Sequence, residues 1–360
     1  TPLYSSAASD VYKRQPDALV AMFGAEAGER LVRFAGATAD SVFNLIERHA
    51  MDVPHVRQGW IQGAHNAAAL ELAHARAAQW ARHGADAQPL DKAEVSRLIG
   101  TDRYLGGWVD RRAGAIQPLS YARGLARAAL NAGVVIHTDT PVAGLRREGG
   151  KWTATTAGGA TVIADRVVMC TNAYGADLLP GLKPSIIDAN TFQVATTPLP
   201  ERLRAAIFPE GHVTSDTRNL LLYFRLDHQG RLLMGGRGPF REPKGPEDWA
   251  HLERVMVKMF PQVAGTPFEY RWCGRVAITR DYLPHLHEPE PGLLVDIGCQ
   301  GRGVGLQTSM GRAMAQYLVS GDAKALPVPL SPVTPFPLYG LRRLYVNAVV
   351  TWYRMTDGGV

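Results

Sequence analysis

Apolar residues recur at helical spacing between Asp17 and Ala50, at Leu19, Met22 and Phe23 and again at Leu31, Phe34, Val42, Leu45 and Ile46. This spacing predicts two helices interrupted near Gly24. A short strand is expected at Val56 to Ile61, then an alanine-rich helix from Asn66 to His83 closed by Gly84. A shorter helix at Leu90 to Leu98 and a strand at Tyr104 to Val109 follow. Pro118 opens the next helix, Leu119, Leu125 and Ala129 give it an apolar stripe, and Gly133 ends it. The run Val134-Val135-Ile136 directly after it predicts a buried strand, so this unit reads as half of a parallel α/β layer.

Beyond Pro141 the pattern alternates in Val142 to Leu145, Lys151 to Thr156 and Thr161 to Ile163, separated by paired glycines. A small antiparallel meander is the expectation, leading into a buried strand at Arg166 to Cys170. Between Asn190 and Gly274 alternating strands and hairpin turns dominate, as in Leu220 to Leu226, the turn Asp227 to Gly230, and Arg231 to Gly235. One helix, Trp249 to Phe260, interrupts them. A buried strand at Gly292 to Ile297, a glycine-rich turn at Gly298 to Gly305 and a helix at Val304 to Val319 then restore the parallel pattern. That order predicts an α/β (α+β) protein of two interleaved domains. One comprises residues 16–50, 114–188 and 275–328, the other 51–113 and 189–274, with 329–360 as a C-terminal tail and helix.

Composition places 360 residues, 46% hydrophobic and 20% charged, in the globular class with room for two cores. The excess of 39 Lys and Arg over 33 Asp and Glu is spread along the chain without a basic block, so nucleic acid is not the expected partner. Cys170, Cys273 and Cys299 make no CxxC pair and fit a reducing compartment, so the cytoplasm is the expected location. No apolar run approaches the roughly 20 residues of a membrane span. The stretch Ser5 to Gln15 has neither periodicity, and residues 1–15 read as a non-native leader.

The glycine turn carries the most chemistry. Between a buried strand and a helix, glycines let backbone N–H groups approach a ligand, and the helix start adds about half a positive charge, which suits an anion or an electron-rich ring oxygen. Glycine turns of this kind also serve simply to pack a helix onto a sheet. The turn is not the GxGxxG dinucleotide fingerprint, and no such unit occurs in the chain. His285-x-His287 has no third ligand at a metal-binding spacing, so no metal is expected.

Three stretches, Cys170-Thr171-Asn172-Ala173-Tyr174, Tyr270-Arg271-Trp272-Cys273-Gly274 and the turn Gly298 to Gly305 followed by Met310-Gly311-Arg312, together resemble the D-amino-acid-oxidase-like FAD-dependent oxidoreductases. Within that superfamily the chain is most similar to the gamma-glutamylputrescine oxidoreductases, down to Trp352-Tyr353-Arg354. The resemblance implies a glutathione-reductase-type FAD-binding domain interleaved with an antiparallel-sheet substrate domain. It implies that Val142 lies near the adenine, Thr171 and Asn172 near the pyrophosphate, and Gly274, Gly298, Gly301, Arg302, Gly303, Val304 and Gly305 around the flavin. Many relatives have His where this chain has Arg302. A fixed cation there would suit the charge gathering on the ring's N1 and C2-oxygen edge, and a surface ion pair is the other reading of Arg302. The family's opening strand, GxGxxG turn and helix are missing from the sequence, so the FAD domain is expected to be incomplete at its N-terminus.

The implied reaction is oxidation of the C–N bond of an amine or amino acid, with hydride passing to FAD and electrons on to oxygen or another acceptor. Tyr223 and Arg225 alternate onto one strand face, and with Arg237 and Trp272 they are the substrate-binding candidates, arginine for a carboxylate and aromatic rings for the amine. Without a structure, core packing or a sheet-edge ion pair is the stronger reading of each. Two alternatives remain open: a D-amino-acid-dehydrogenase-like enzyme using a membrane acceptor, for which Arg342, Arg343 and the apolar residues around them offer peripheral membrane contact, and an inactive fragment.

Overall fold

The computed structural model describes residues 14–357, so residues 1–13 of the expected leader lie outside the described residues. Helix α1 (Pro16–Gly36) is broken at Gly24, where φ is +78°, and α2 (Thr38–Arg48) follows. The expected first strand is divided by Gly59, at φ +103°, into β1 (His55–Val56) and β2 (Trp60–Gly63). Asn66 caps α3 (Ala67–Arg82) by accepting the Ala69 N–H at 2.8 Å. Strand β3 (Ala87–Leu90) takes the front of the expected 90–98 helix. Asp91 and Glu94 form a reciprocal capping box that opens α4 (Lys92–Ile99), and Gly100 ends it at φ +86°. After β4 (Gly107–Asp110) and β5 (Ala115–Ile116), Gln117 accepts the Ser120 N–H at 2.7 Å and starts α5 (Pro118–Asn131).

The meander forms as β6 (Val142–Glu148), β7 (Lys151–Thr156) and β8 (Thr161–Ala164), an antiparallel three-stranded sheet. It leads to β9 (Val167–Met169), and then β10 (Ile187–Thr196), the short α6 (Glu201–Arg204), β11 (Val213–Asp216), β12 (Tyr223–Leu226) and β13 (Leu232–Arg237). Helix α7 (Ala250–Met259), β14 (Phe268–Ile278), β15 (His285–His287), β16 (Leu293–Ile297), α8 (Gly303–Ser320) and α9 (Arg342–Thr356) complete the order.

Eight strands make one sheet in the order β14-β10-β13-β12-β11-β2-β4-β3. Its binary pattern decides what each face does. Ile61, Val109, Phe192, Val194, Phe224, Leu232 and Met234 point to one side and are buried beneath α4 and α7. The alternate residues point to the other side. There Trp60, Trp108 and Val213 join a second core with α1, α2, α3 and α8, while the polar remainder of that face fronts open cavities. Strand β9 pairs in parallel with β16, and β15 antiparallel with it, in a separate sheet whose core includes Met169, Leu293, Val295 and Ile297.

The expected strand at Val134 to Ile136 does not form. These residues are irregular and exposed, Val135 by 75%. A three-residue apolar run becomes a strand only when a neighbour supplies a ladder, and among the described residues none lies beside it. The two histidines of β15 hold Ser331 of the tail: His287 Nδ1 lies 2.7 Å from its carbonyl and His285 Nδ1 3.3 Å from its Oγ, while His285 Nε2 meets Asp281 Oδ1 at 3.0 Å. Among the described residues no group of three or more His, Cys, Asp or Glu could hold a metal, and no helix is long and apolar enough to cross a membrane.

Candidate flavin and substrate site

The glycine turn is built by three left-handed residues, Gly298 (φ +90°), Gln300 (φ +50°) and Gly301 (φ +80°). At Gly298 a Cβ would stand 2.5 Å from Thr279 Cγ2, so a side chain is excluded by space as well as by conformation. Gln300 is held by its amide, which donates to Thr279 Oγ1 at 2.6 Å and to the Leu283 carbonyl at 3.2 Å. Arg302 is the N-cap of α8 but supplies no side-chain cap, so the helix's first N–H groups are left to a ligand.

Asn172, itself at φ +47°, ties this turn to the one after β9. Its amide donates to Cys299 Sγ at 3.2 Å, and its Oδ1 accepts the Cys299 N–H at 3.4 Å. Two loops 127 positions apart thus become one wall. Burial raises the thiol pKa of both Cys170 and Cys299, that of Cys170 to about 11, so neither is poised as a nucleophile.

The wall closes a cavity of about 850 Å3. On one side lie Thr171, Asn172 and the stretch Cys299 to Val304; opposite, the large sheet offers Thr191, Tyr223 and Arg237; α9 roofs it with Tyr345, Val349 and Tyr353. Alternation along β16 puts Asp296 on the face of Leu294 and into this cavity. Burial pushes the Asp296 carboxyl up to about 7, partly offset by the Gln307 amide. Asp296 Oδ1, Gln300 Oε1 and Gln307 Oε1 line the same cavity, are buried, and have no hydrogen-bond partner among the described residues. Orphaned acceptors of this kind call for a ligand that brings donors. A ribityl chain and a flavin N3–H are such donors, while the uncapped start of α8 suits the flavin's carbonyl edge. The residues present fit that group.

Among the cofactor candidates, Thr171, Asn172, Gly301, Arg302, Gly303 and Val304 line the cavity. Gly298 and Gly305 stand beside it in the turn and in α8, Gly274 is buried in β14 opposite Thr191, and Val142 is exposed at the start of β6. Arg302 places its guanidinium 5.5 Å from the centroid of the Trp60 ring, whose indole N–H donates to Ser215 Oγ at 3.1 Å.

All four substrate candidates share one face of the large sheet. Register sets them in rungs: Arg237 opposite Thr191, Tyr223 level with Gly235, Gln193 and Trp272, and Arg225 level with Leu233. A Cβ at Gly235 would lie 2.0 Å from Tyr223 Cε2, so only glycine lets that ring lie across β13. The Tyr223 and Thr191 hydroxyls hydrogen-bond, and burial drives the phenol up to about 12, so it stays a donor at neutral pH. Arg237 lines the first cavity, whereas Arg225 and Trp272 line a second one beyond Tyr223.

Sequence reasoning missed Asp296, Gln307 and the α9 roof. A lone carboxylate in the apolar run Leu293-Leu294-Val295-Asp296-Ile297 was a readable signal. The roof was not, because nothing in the α9 sequence says which face meets a distant cavity.

The fold and the cavity are of the kind found in FAD-dependent oxidoreductases. The family model described as FAD dependent oxidoreductase (DAO) matches residues 5–317, and the chain belongs to this family, whose enzymes oxidise amines and amino acids with FAD. The chain is 31% identical over 240 residues to the probable oxidoreductase OrdL of Haemophilus influenzae, covering 65% of this chain and 54% of that one. It is therefore similar to little more than half of that relative's length. It is 28% identical to the gamma-glutamylputrescine oxidoreductase of Escherichia coli over 333 residues, 91% of this chain and 76% of that one. The structure superposes on the glycine oxidase of Geobacillus kaustophilus with a TM-score of 0.71 at 20% identity, covering 93% of this chain and 89% of that one, a likeness of fold.

Proposed function

We propose that this chain oxidises the C–N bond of an amine or amino acid, and that its substrate is a gamma-glutamylputrescine-like amine. The observation that carries the reading is the cavity itself: orphaned acceptors and an uncapped helix start on one wall, and a tyrosine and an arginine on the sheet opposite. Residues 16–50, 114–188 and 275–328 would form the cofactor domain, and 51–113 with 189–274 the substrate domain. Bound FAD supplies the acceptor for the hydride leaving the carbon beside the amine nitrogen.

Everything else falls to the chain's own groups. Asp296, Gln300 and Gln307 would accept hydrogen bonds from the cofactor, and the first N–H groups of α8 would donate to it. Arg237 would hold a substrate carboxylate, with the Tyr223 hydroxyl donating beside it. Arg237, Arg280 and Arg302 all border the cavity, and this positive field favours an amine bound without its proton. That is the form from which hydride can depart. Tyr345, Val349 and Tyr353 would exclude water from above.

The test is anaerobic addition of gamma-glutamylputrescine and of simple amines and amino acids to the FAD-loaded chain, watching the flavin's visible absorbance. Bleaching by one of them is expected, and Arg237→Met should raise the KM for a carboxylate-bearing substrate about 100-fold. Failure of every amine and amino acid to bleach a flavin that is demonstrably bound would sink the reading. A second reading, a dehydrogenase passing electrons to a membrane acceptor, is favoured by the exposed Leu344, Trp352 and Met355 on α9. Oxygen uptake without added dye separates it from an oxidase in the cytoplasm.

A further inference from the structure

Beyond Tyr223 the same face of the large sheet carries a second cavity of about 550 Å3, walled by Gln117, Gln193, Arg225, Tyr270 and Trp272 among others. Tyr223 and Pro118 line both cavities, so the two are neighbours across one phenol ring. Three arginines border this annex, and two of them are neutralised within the protein. Arg231 pairs with Glu269 at 2.8 Å and Asp227 at 3.6 Å, and Arg271 with Glu253 at 2.6 Å.

Arg225 is different. Among the described residues no carboxylate lies within ion-pair distance of it, and its guanidinium makes one long hydrogen bond, to the Leu226 carbonyl at 3.5 Å. The acid that faces it, Asp227, is already engaged by the backbone N–H groups of Gln229 and Arg231 at 2.9 and 2.8 Å. Burial draws Arg225 down to about 10, with Asp227 opposing, so the group remains a cation at neutral pH. A half-buried guanidinium with spare donors at the wall of an open cavity is placed to take an anion from outside the protein.

We propose that this annex is a subsite for a carboxylate at the far end of the substrate's carbon chain, gripped by Arg225 and flanked by Trp272 and Gln193. The inference rests on the amine-oxidising reading above and adds the substrate's shape. One free planar guanidinium matches one carboxylate through paired hydrogen bonds, whereas a phosphate would call on further free cations that the ion pairs of Arg231 and Arg271 remove. Arg225 stands two residues beyond Tyr223 on β12, roughly 7 Å along the strand. A C–N bond held beside Tyr223 and an anion on Arg225 are then separated by a chain of at least about five carbons, a length that a gamma-glutamylputrescine-like amine exceeds. Substrates are amines with a distant carboxylate; short α-amino acids leave the annex empty.

Calorimetric titration of the FAD-loaded chain with glutarate and with the neutral glutaramide tests this directly. Glutarate should bind well and glutaramide poorly; Arg225→Met should weaken glutarate about 100-fold, with Arg225→Lys recovering part of the loss. In turnover, the preference for 5-aminopentanoate over pentylamine, carried by KM more than by kcat, should collapse in Arg225→Met. Equal binding of glutarate and glutaramide by the unsubstituted chain overturns the proposal even if Arg225→Met does not fold. So does a glutarate affinity that is lost in Arg237→Met and kept in Arg225→Met. If Arg225→Met loses glutarate while neither amine reduces the flavin, the anion site stands and the amine-oxidation reading fails. If both amines react equally and Arg225→Met changes nothing, the reading stands and the annex fails.

Discussion

Asp296 is the residue on which pH dependence turns. Its pKa is raised to about 7 by desolvation, against an unfolded carboxylate near 4, so the folded state holds its proton where the unfolded state has released it. Its contribution is neutral below the unfolded value, becomes increasingly unfavourable as pH climbs, and levels off above about 7. The full penalty is on the order of 4 kcal/mol. Asp296→Asn is uncharged throughout and should therefore gain stability over the parent as pH rises from 5 to 8. Thermal melts of both proteins without FAD check it: a difference in Tm that stays flat across that range would remove Asp296 from the account. Arg225 teaches the complementary lesson. The sequence already offers Arg225 as a substrate-binding candidate from its place on the Tyr223 face; what it does not carry is that Arg231 and Arg271 are taken up by Asp227, Glu269 and Glu253 while Arg225 is not.

At the scale of elements, α9 is fastened at its end by one carboxylate. Asp357, 6% exposed, accepts the Asn219 N–H at 3.1 Å and its side-chain amide at 2.8 Å, and the Leu220 N–H at 2.8 Å. A carboxylate beyond a helix C-terminus opposes the helix dipole, so these donors must outweigh that repulsion. Asp357→Ala leaves the Asn219 and Leu220 N–H groups without this partner at a cost of about 1 kcal/mol or somewhat more and should loosen the roof. Trypsin should then cut faster after Arg342, Arg343 and Arg354, and cleavage at the parent rate would show that the roof is held elsewhere. The elements themselves were largely legible. Gly24, Asn66, Pro118 and the 298–305 glycines acted locally, so each marked its boundary in the sequence. The capping box at Asp91 and Glu94 is just as local, yet the helix was expected to begin two residues before α4 does, because Leu90 fits the apolar period of the helix although it ends β3. Val134 to Ile136 was misread for a different reason. An apolar run reports what could be buried, and whether it is buried depends on neighbours that periodicity does not name.

For the whole molecule, the large sheet is the member shared between two cores, and its alternation explains why chemistry sits on one face only. Phe192, Phe224 and Met234 fill the side beneath α7, which leaves Thr191, Tyr223, Arg225 and Arg237 for the cavities. The strand pattern showed that alternation in advance for Tyr223 and Arg225 alone; the joining of residues 171–172, 296–307 and 345–353 around one cavity did not follow from it, because no local rule fixes contacts across such separations. The molecule's surface is also unevenly finished. Leu130, Val134, Val135, Ile136, Val162, Ile163 and Val168 are all exposed by more than 40%, and all fall within one stretch of chain. Strand β9, which carries Val168, has one paired side among the described residues and an open edge on the other. Apolar surface beside an open strand edge promotes association. The chain as it stands should therefore self-associate, and replacing Val134, Val135 and Ile136 by Thr, Lys and Thr should shift its size-exclusion profile toward monomer. Because these side chains are exposed, Tm should change by only a few degrees. If the triple variant instead loses its cooperative melt, the segment is packed in solution and its exposure is not what drives association.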